Sequence, residues 1–188
     1  ADIFSDKCGF FTSRRAKAVT VRHLLTMSSG CGFKEYGMVL EADWVKAFLD
    51  ADYAFEPGEK MEYNSMNTYM LSAIVTKRTG ETLTEYLKPR LFQPLGITKY
   101  FWETCPKGIT KGGWGLFLCA EDMAKLGQLY LQKGKWNGQQ IVPEFWVEVS
   151  TAKHKESIEG TYGYGYQIWM EARPGSFEFN GMLGQNVI

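Results

Sequence analysis

The sequence predicts an α+β fold: a mostly helical body that runs into the start of an antiparallel sheet. Three observations carry this. Apolar residues recur at helical spacing in several segments of the first 156 residues. Start and stop residues bound those segments, among them Thr20, Gly80, Thr82 with Glu85, Gly134 and Pro143. After Gly160 the period changes to two, with Tyr162, Tyr164, Tyr166, Ile168 and Met170 alternating with Gly163, Gly165, Gln167 and Trp169. The expected division is a helical domain over 1–156 and, over 157–188, a hairpin belonging to an α/β sheet domain.

The elements follow in order. Residues before Arg15 read as irregular and Phe-rich. Thr20 caps a short helix over Val21–Met27, which Ser28-Ser29-Gly30 ends. His23 lies in its first turn and reads as a positioned core or surface histidine. A second helix covers Glu41–Leu49, with Trp44, Val45, Phe48 and Leu49 on one face. The helix over Met66–Arg78 carries apolar residues nearly all round, which predicts burial on most sides. Thr82 and Glu85 form a capping box for a helix over Leu83–Leu91, weakened by Pro89. Gly108–Gly115 is a glycine-rich loop containing Trp114, and a helix over Ala120–Lys133 follows. Pro143 opens a short helix with Phe145 and Trp146. Pro174-Gly175 marks a turn, from which Phe177–Ile188 pairs back as the second strand of a hairpin.

Composition excludes several classes. Nearly half the residues are apolar, 45%, which argues against disorder. Formal net charge is zero, so no electrostatic footprint for nucleic acid or an anionic membrane exists. No stretch is long and apolar enough to span a membrane. The four cysteines, Cys8, Cys31, Cys105 and Cys119, form no C-x-x-C pair, and only two histidines accompany them. Neither a zinc site nor any other metal or cofactor is expected. Unpaired thiols lean toward a reducing compartment, the cytoplasm rather than the cell envelope. Both ends of the chain read as internal, so the sequence is expected to be a piece of a longer protein.

The segment Pro57-Gly58-Glu59-Lys60-Met61-Glu62-Tyr63-Asn64-Ser65 carries the chemistry. A turn delivers a tyrosine to the mouth of a helix, and the two short polar residues after it suit an N-cap. A phenol works as an acid or base only where its surroundings shift its pKa or where it relays a proton within a network. A tyrosine packed in the core with its hydroxyl on a backbone partner fits the residues alone better.

Around this segment, Thr20–Gly30 (TVRHLLTMSSG), Phe55–Ser65 (FEPGEKMEYNS), Tyr69–Gly80, Leu91–Ile97 (LFQPLGI), Gly113-Trp114-Gly115 and Glu121-Asp122-Met123 occur in order. This succession, over almost the whole chain, resembles the serine β-lactamase and penicillin-binding protein superfamily, in its class C β-lactamase, esterase and DD-peptidase branch. The resemblance implies a β-lactamase/transpeptidase-like fold and an acyl-serine reaction. An S-x-x-K motif would supply the nucleophile, a Y-x-N or Y-S-N tyrosine the proton shuttle, and K-T-G or H-x-G the opposite wall. On this chain Tyr63 matches the tyrosine. Ser65 stands where the motif asparagine would be, because the order here is Tyr-Asn-Ser. Trp114 matches an aromatic lining the substrate cleft, although a core tryptophan in a glycine loop fits as well. Phe179-Asn180-Gly181 is the best third-motif match: Asn180 and Gly181 would face substrate and the Met182 N–H would be an oxyanion donor. A plain hairpin strand remains open there.

Two departures matter. Phe179 replaces the usual Lys or His, which removes the cation that binds a substrate carboxylate and moves the expected substrate from β-lactams toward esters. The nucleophile motif is absent: the one S-x-x-K, Ser150-Thr151-Ala152-Lys153, follows the tyrosine motif, ends a short helix and reads as solvated surface. Lys77-Arg78-Thr79-Gly80 mimics K-T-G but is a helix end. The expectation is therefore a fragment of a serine hydrolase acting on a small ester, amide or β-lactam. It would be inactive alone, and prone to aggregate or take a partner chain through exposed sheet edges. The alternative is a non-catalytic binding protein on the same fold.

Overall fold

A computed structural model describes residues 2–157, 162–170, 175–182 and 184–188. Gly160 and Pro174, where the sequence marks the change of period and a turn, lie outside them. Spatial proximity groups the chain into two compact units, Ala1–Tyr86 with Trp102–Leu116, and Leu87–Phe101 with Phe117–Ile188. These units interleave along the chain, whereas the expected domains are contiguous segments.

The first unit is helical, and its helix starts follow side-chain caps. The chain before Arg15 is more ordered than the sequence suggests. It forms a 3₁₀ segment, Asp2–Lys7, and helix α1, Arg14–Ala18, because the Ser13 side chain accepts from Ala16 N–H. Helix α2 spans Val21–Leu25, with Thr20 accepting from His23 N–H and His23 Nδ1 accepting from Thr20 N–H. His23 is thus one half of a capping box. The helix stops short of Met27, which takes φ +51. Helix α3, Trp44–Asp50, starts later than Glu41 because Asp43 caps it through Lys46 N–H. Its predicted face of Trp44, Val45, Phe48 and Leu49 is buried.

Helix α4, Ser65–Thr79, is capped by Asn64 and ended by Gly80 in the left-handed region. Its first half is buried on most sides, from Ser65 to Ala73, and its last turns are exposed. Helix α5, Leu83–Leu87, carries the predicted Thr82–Glu85 box and passes into a π-helical turn, Lys88–Phe92, that holds Pro89. The core of this unit gathers Leu24, Trp44, Phe48, Met66, Tyr69 and Met70. Trp44 packs edge-on to Tyr69 and stacks on Trp114, with ring centroids 5.2 and 5.8 Å apart.

Short strands β1, Phe101–Trp102, and β2, Leu116–Phe117, form a two-stranded sheet. In the second unit, helix α6 spans Ala120–Leu131 and a small hairpin pairs β3, Lys135–Trp136, with β4, Gln139–Gln140. Helix α7 covers Glu144–Ser150 after Pro143, as expected. The remaining strands are β5 (Lys155–Glu156), β6 (Gly163–Tyr164), β7 (Trp169–Met170), β8 (Phe177–Asn180) and β9 (Asn186–Val187). They form an antiparallel meander in that order.

The sheet corrects two strand expectations. The alternating run from Tyr162 to Met170 is a tight hairpin, not one strand. Gly165 N–H donates to Ile168 O at 2.8 Å, and Gln167 turns the chain at φ +63. Phe177–Ile188 is likewise two strands, because β8 and β9 pair antiparallel and Gly181 N–H donates to Gln185 O. Period-two patterning marks extended backbone but cannot locate a reversal within it. Among the described residues no helix is long and apolar enough to cross a membrane, and the cysteines are free thiols.

Candidate active site

Tyr63 is carried by a segment docked through its backbone. Gly58 N–H donates to Ser28 O, and Glu62 N–H to Met27 O, each at 2.8 Å. The next residue, Asn64, is buried and fully engaged. Its Oδ1 accepts from Met66 N–H at 2.9 Å, capping α4, while Nδ2 donates to Cys31 O and Phe33 O at 2.9 and 3.0 Å. Tyr63 therefore leaves a clamped backbone and keeps 44% of its surface exposed. Ser65, the first residue of α4, is only 6% exposed and hydrogen-bonds the Tyr63 phenol.

Electrostatics keep that phenol protonated. Partial burial is the largest influence and raises its pKa above the ordinary value; the Ser65 bond lowers it, and the Glu35 carboxylate raises it further. A neutral phenol can pass protons along hydrogen bonds, and this one is not a standing phenolate.

Trp114 comes to the same helix by close backbone approach. A Cβ on Gly113 would lie 2.8 Å from Ser65 O and 3.2 Å from Thr68 Cβ, and one on Gly112 would lie 2.9 Å from Ser72 Cβ. The loop thus lies on the Ser65–Thr68–Ser72 stripe of α4, where any side chain would push it off. Trp102 Nε1 donates to Trp114 O at 3.1 Å, and Lys111 Nζ sits 5.7 Å from the Trp114 ring centre while paired with Glu103. Tyr63, Ser65 and Trp114 all belong to the first unit.

Asn180, Gly181 and Met182 belong to the second unit. Phe179 lies on β8 and packs edge-on against Tyr130 of α6, centroids 5.2 Å apart. Asn180 ends the strand, its Nδ2 donating to Glu178 Oε1 at 3.2 Å. Gly181 N–H donates to Gln185 O at 3.0 Å, and Met182 is 77% exposed in the turn. Among the described residues no cluster of three or more His, Cys, Asp or Glu side chains could hold a metal ion.

The Ser150 expectation needs correction. Ser150 ends α7, but it is 1% exposed, not solvated. Its Oγ donates to Val147 O at 3.1 Å, and its carbonyl accepts from Tyr166 N–H at 2.9 Å. Lys153 pairs with Glu156 at 3.1 Å. The position buries the hydroxyl as a helix-end bond. Lys77 also lies on a helix end, paired with Asp6 at 3.0 Å. Of the two polar residues after Tyr63 that suit an N-cap, Asn64 is the one that caps α4, while sequence reasoning passes over Gln185.

Comparison with known proteins agrees with this architecture. The Beta-lactamase family description matches residues 9–188. The chain is 24% identical over 199 residues to "Putative penicillin-binding protein PbpX" of Bacillus subtilis (strain 168), covering 92% of this chain and 47% of that protein. Among solved structures, "Putative 6-aminohexanoate-dimer hydrolase from Bacillus anthracis" superposes with TM-score 0.76 at 26% identity, covering 89% of this chain and 51% of that one. The penicillin binding protein from Bacillus halodurans shares the fold, with TM-score 0.66 at 20% identity over 93% of this chain and 66% of that one. The chain spans about half the length of the first two relatives. With a match running from residue 9 to the last residue, the chain belongs to the beta-lactamase family and carries its serine-hydrolase-type fold.

Proposed function

We propose that the protein containing this chain is a serine hydrolase acting on a small ester, amide or β-lactam through an acyl-serine intermediate. The observation that carries the reading is Tyr63, protonated and hydrogen-bonded to Ser65 at the start of the buried helix α4. The nucleophile would be a serine of an S-x-x-K motif outside the given sequence. Its Oγ attacks the acyl carbon, a C–O bond forms, and the bond to the leaving group breaks as that group takes up a proton. Tyr63 relays this proton, with Ser65 holding the phenol in place. The Met182 N–H and the N–H of the nucleophilic serine would stabilise the oxyanion. Water then attacks the acyl-serine and restores the hydroxyl. Trp114, Asn180 and Gly181 would contact the acyl substrate.

The chain by itself would be inert, having no available nucleophile of this type; Ser150 is buried and already bonded. The replacement of a cation by Phe179 and of an amide by Ser65 favours a second reading, a non-catalytic binding protein on the same fold. Fluorophosphonate labelling of the full-length protein, read by intact mass and peptide mapping, separates the two. One adduct on a serine outside this chain, slowed by Tyr63→Phe, is expected. A folded full-length protein that takes no adduct would establish the binding reading.

A further inference from the structure

The β8–β9 ladder sets Phe179 opposite Val187 and Asn180 opposite Asn186. The bond from Gly181 N–H to Gln185 O at 3.0 Å extends it by one pair. Phe179 packs on Tyr130 of α6, and Val187 lies against Gly127 of the same helix, so both side chains take the α6 face. Side chains alternate along a strand, so Gly181 and Gln185 return to that face. A Cβ on Gly181 would lie 2.4 Å from Gln185 Nε2 and 2.6 Å from its Cδ. The space beside the glycine is therefore filled by the Gln185 carboxamide.

We propose that Gln185 is the specificity-determining group of this strand and that it selects neutral acyl substrates over carboxylate-bearing ones. The proposal rests on the acyl-serine reading above. Phe179 supplies no charge and its ring is packed on Tyr130. The amide of Asn180 is turned to Glu178, on the face opposite Phe179. Gln185 then carries an exposed carboxamide on the Phe179 face, beside Gly181. Such a group donates to a neutral carbonyl at little desolvation cost. It does not replace the hydration a carboxylate loses, as a Lys or Arg would.

The test uses the full-length protein and two chromogenic esters, 4-nitrophenyl methyl adipate and 4-nitrophenyl hydrogen adipate. They differ only in a remote methyl ester against a carboxylate, and each releases 4-nitrophenol on acylation. The native protein is expected to favour the methyl ester by about tenfold in kcat/KM. Gln185→Ala should lower kcat/KM for that ester by about fivefold, mainly through KM. Gln185→Lys should shift the ratio toward the acid by about tenfold. Equal melting temperatures of the variants would show that they fold. A ratio that neither variant moves, in an enzyme that takes the fluorophosphonate adduct, overturns the role of Gln185 and leaves the acyl-serine reading intact. Absence of both adduct and turnover overturns the acyl-serine reading, and this inference with it.

Discussion

Asn64 donates from Nδ2 to the backbone carbonyl of Cys31 at 2.9 Å, one residue after Tyr63 in the chain. The same side chain caps α4, so one amide ties the tyrosine segment to the 31–33 loop and to the helix. Asn64→Ala leaves buried carbonyls and an N–H without their partner. It is expected to cost about 2–4 kcal/mol in urea unfolding of the full-length protein. Asn64→Asp keeps the cap acceptor and loses both donors, so it should lose at least about 1 kcal/mol. A change below about 0.5 kcal/mol in both variants would show that the clamp contributes nothing.

Gly113 sets the approach of Trp114 to Ser65. Gly113→Ala places a methyl 2.8 Å from Ser65 O against rigid helix backbone. The expected loss is about 1–3 kcal/mol, with slower fluorophosphonate labelling because the loop lifts from α4. Labelling at the native rate in a stable variant would separate the loop from the chemistry.

Tyr63 should ionise above the usual phenol range, since burial and Glu35 together outweigh the Ser65 bond. A raised folded-state pKa contributes stability that is fully present below the unfolded value, near ~10, and is lost as pH rises through the folded one. Ultraviolet difference titration of the protein against Tyr63→Phe reads this phenol alone. A transition below about 9 would contradict the protonated relay. If the relay operates, Tyr63→Phe should slow acylation by about 10²- to 10⁴-fold with little change in melting temperature.

Asp43 is an independent test of the electrostatics. Burial would raise its pKa, but the Lys107 and Lys7 ammonium groups and the Lys46 N–H outweigh that and hold it at about 2. The folded value is depressed, so the stabilisation is present above the unfolded value, near ~4, and is lost as pH falls toward 2. Asp43→Asn preserves a cap and removes the ion pairs. The stability gap to the native protein should be about 1 kcal/mol at pH 7 and close to zero at pH 2. A gap that does not change with pH would show that ionisation of Asp43 and its ion pairs does not cause it.

Much of the first unit could be read from residue types. Thr20, Thr82 with Glu85, and Gly80 mark helix ends because capping is a contact between residues three or four apart. Errors arose where two signals competed. Asp43 overrode the apolar pattern that would start α3 at Glu41, and Ser13 ordered a stretch with no clear periodicity. In the sheet, the alternation of Tyr162–Met170 is real, yet Gly165–Ile168 folds it back on itself.

The sequence by itself determined the family and the position of Tyr63 at a helix start. Both depend on local order along the chain. Only the tertiary structure decided that Asn64 is spent on Cys31 and Phe33, that Gly113 lies on Ser65, that Ser150 is buried, and that Gln185 fills the space beside Gly181. Those facts join residues far apart in sequence or across a turn. A hydrogen bond or a steric contact between them exists only once packing has fixed both partners in space.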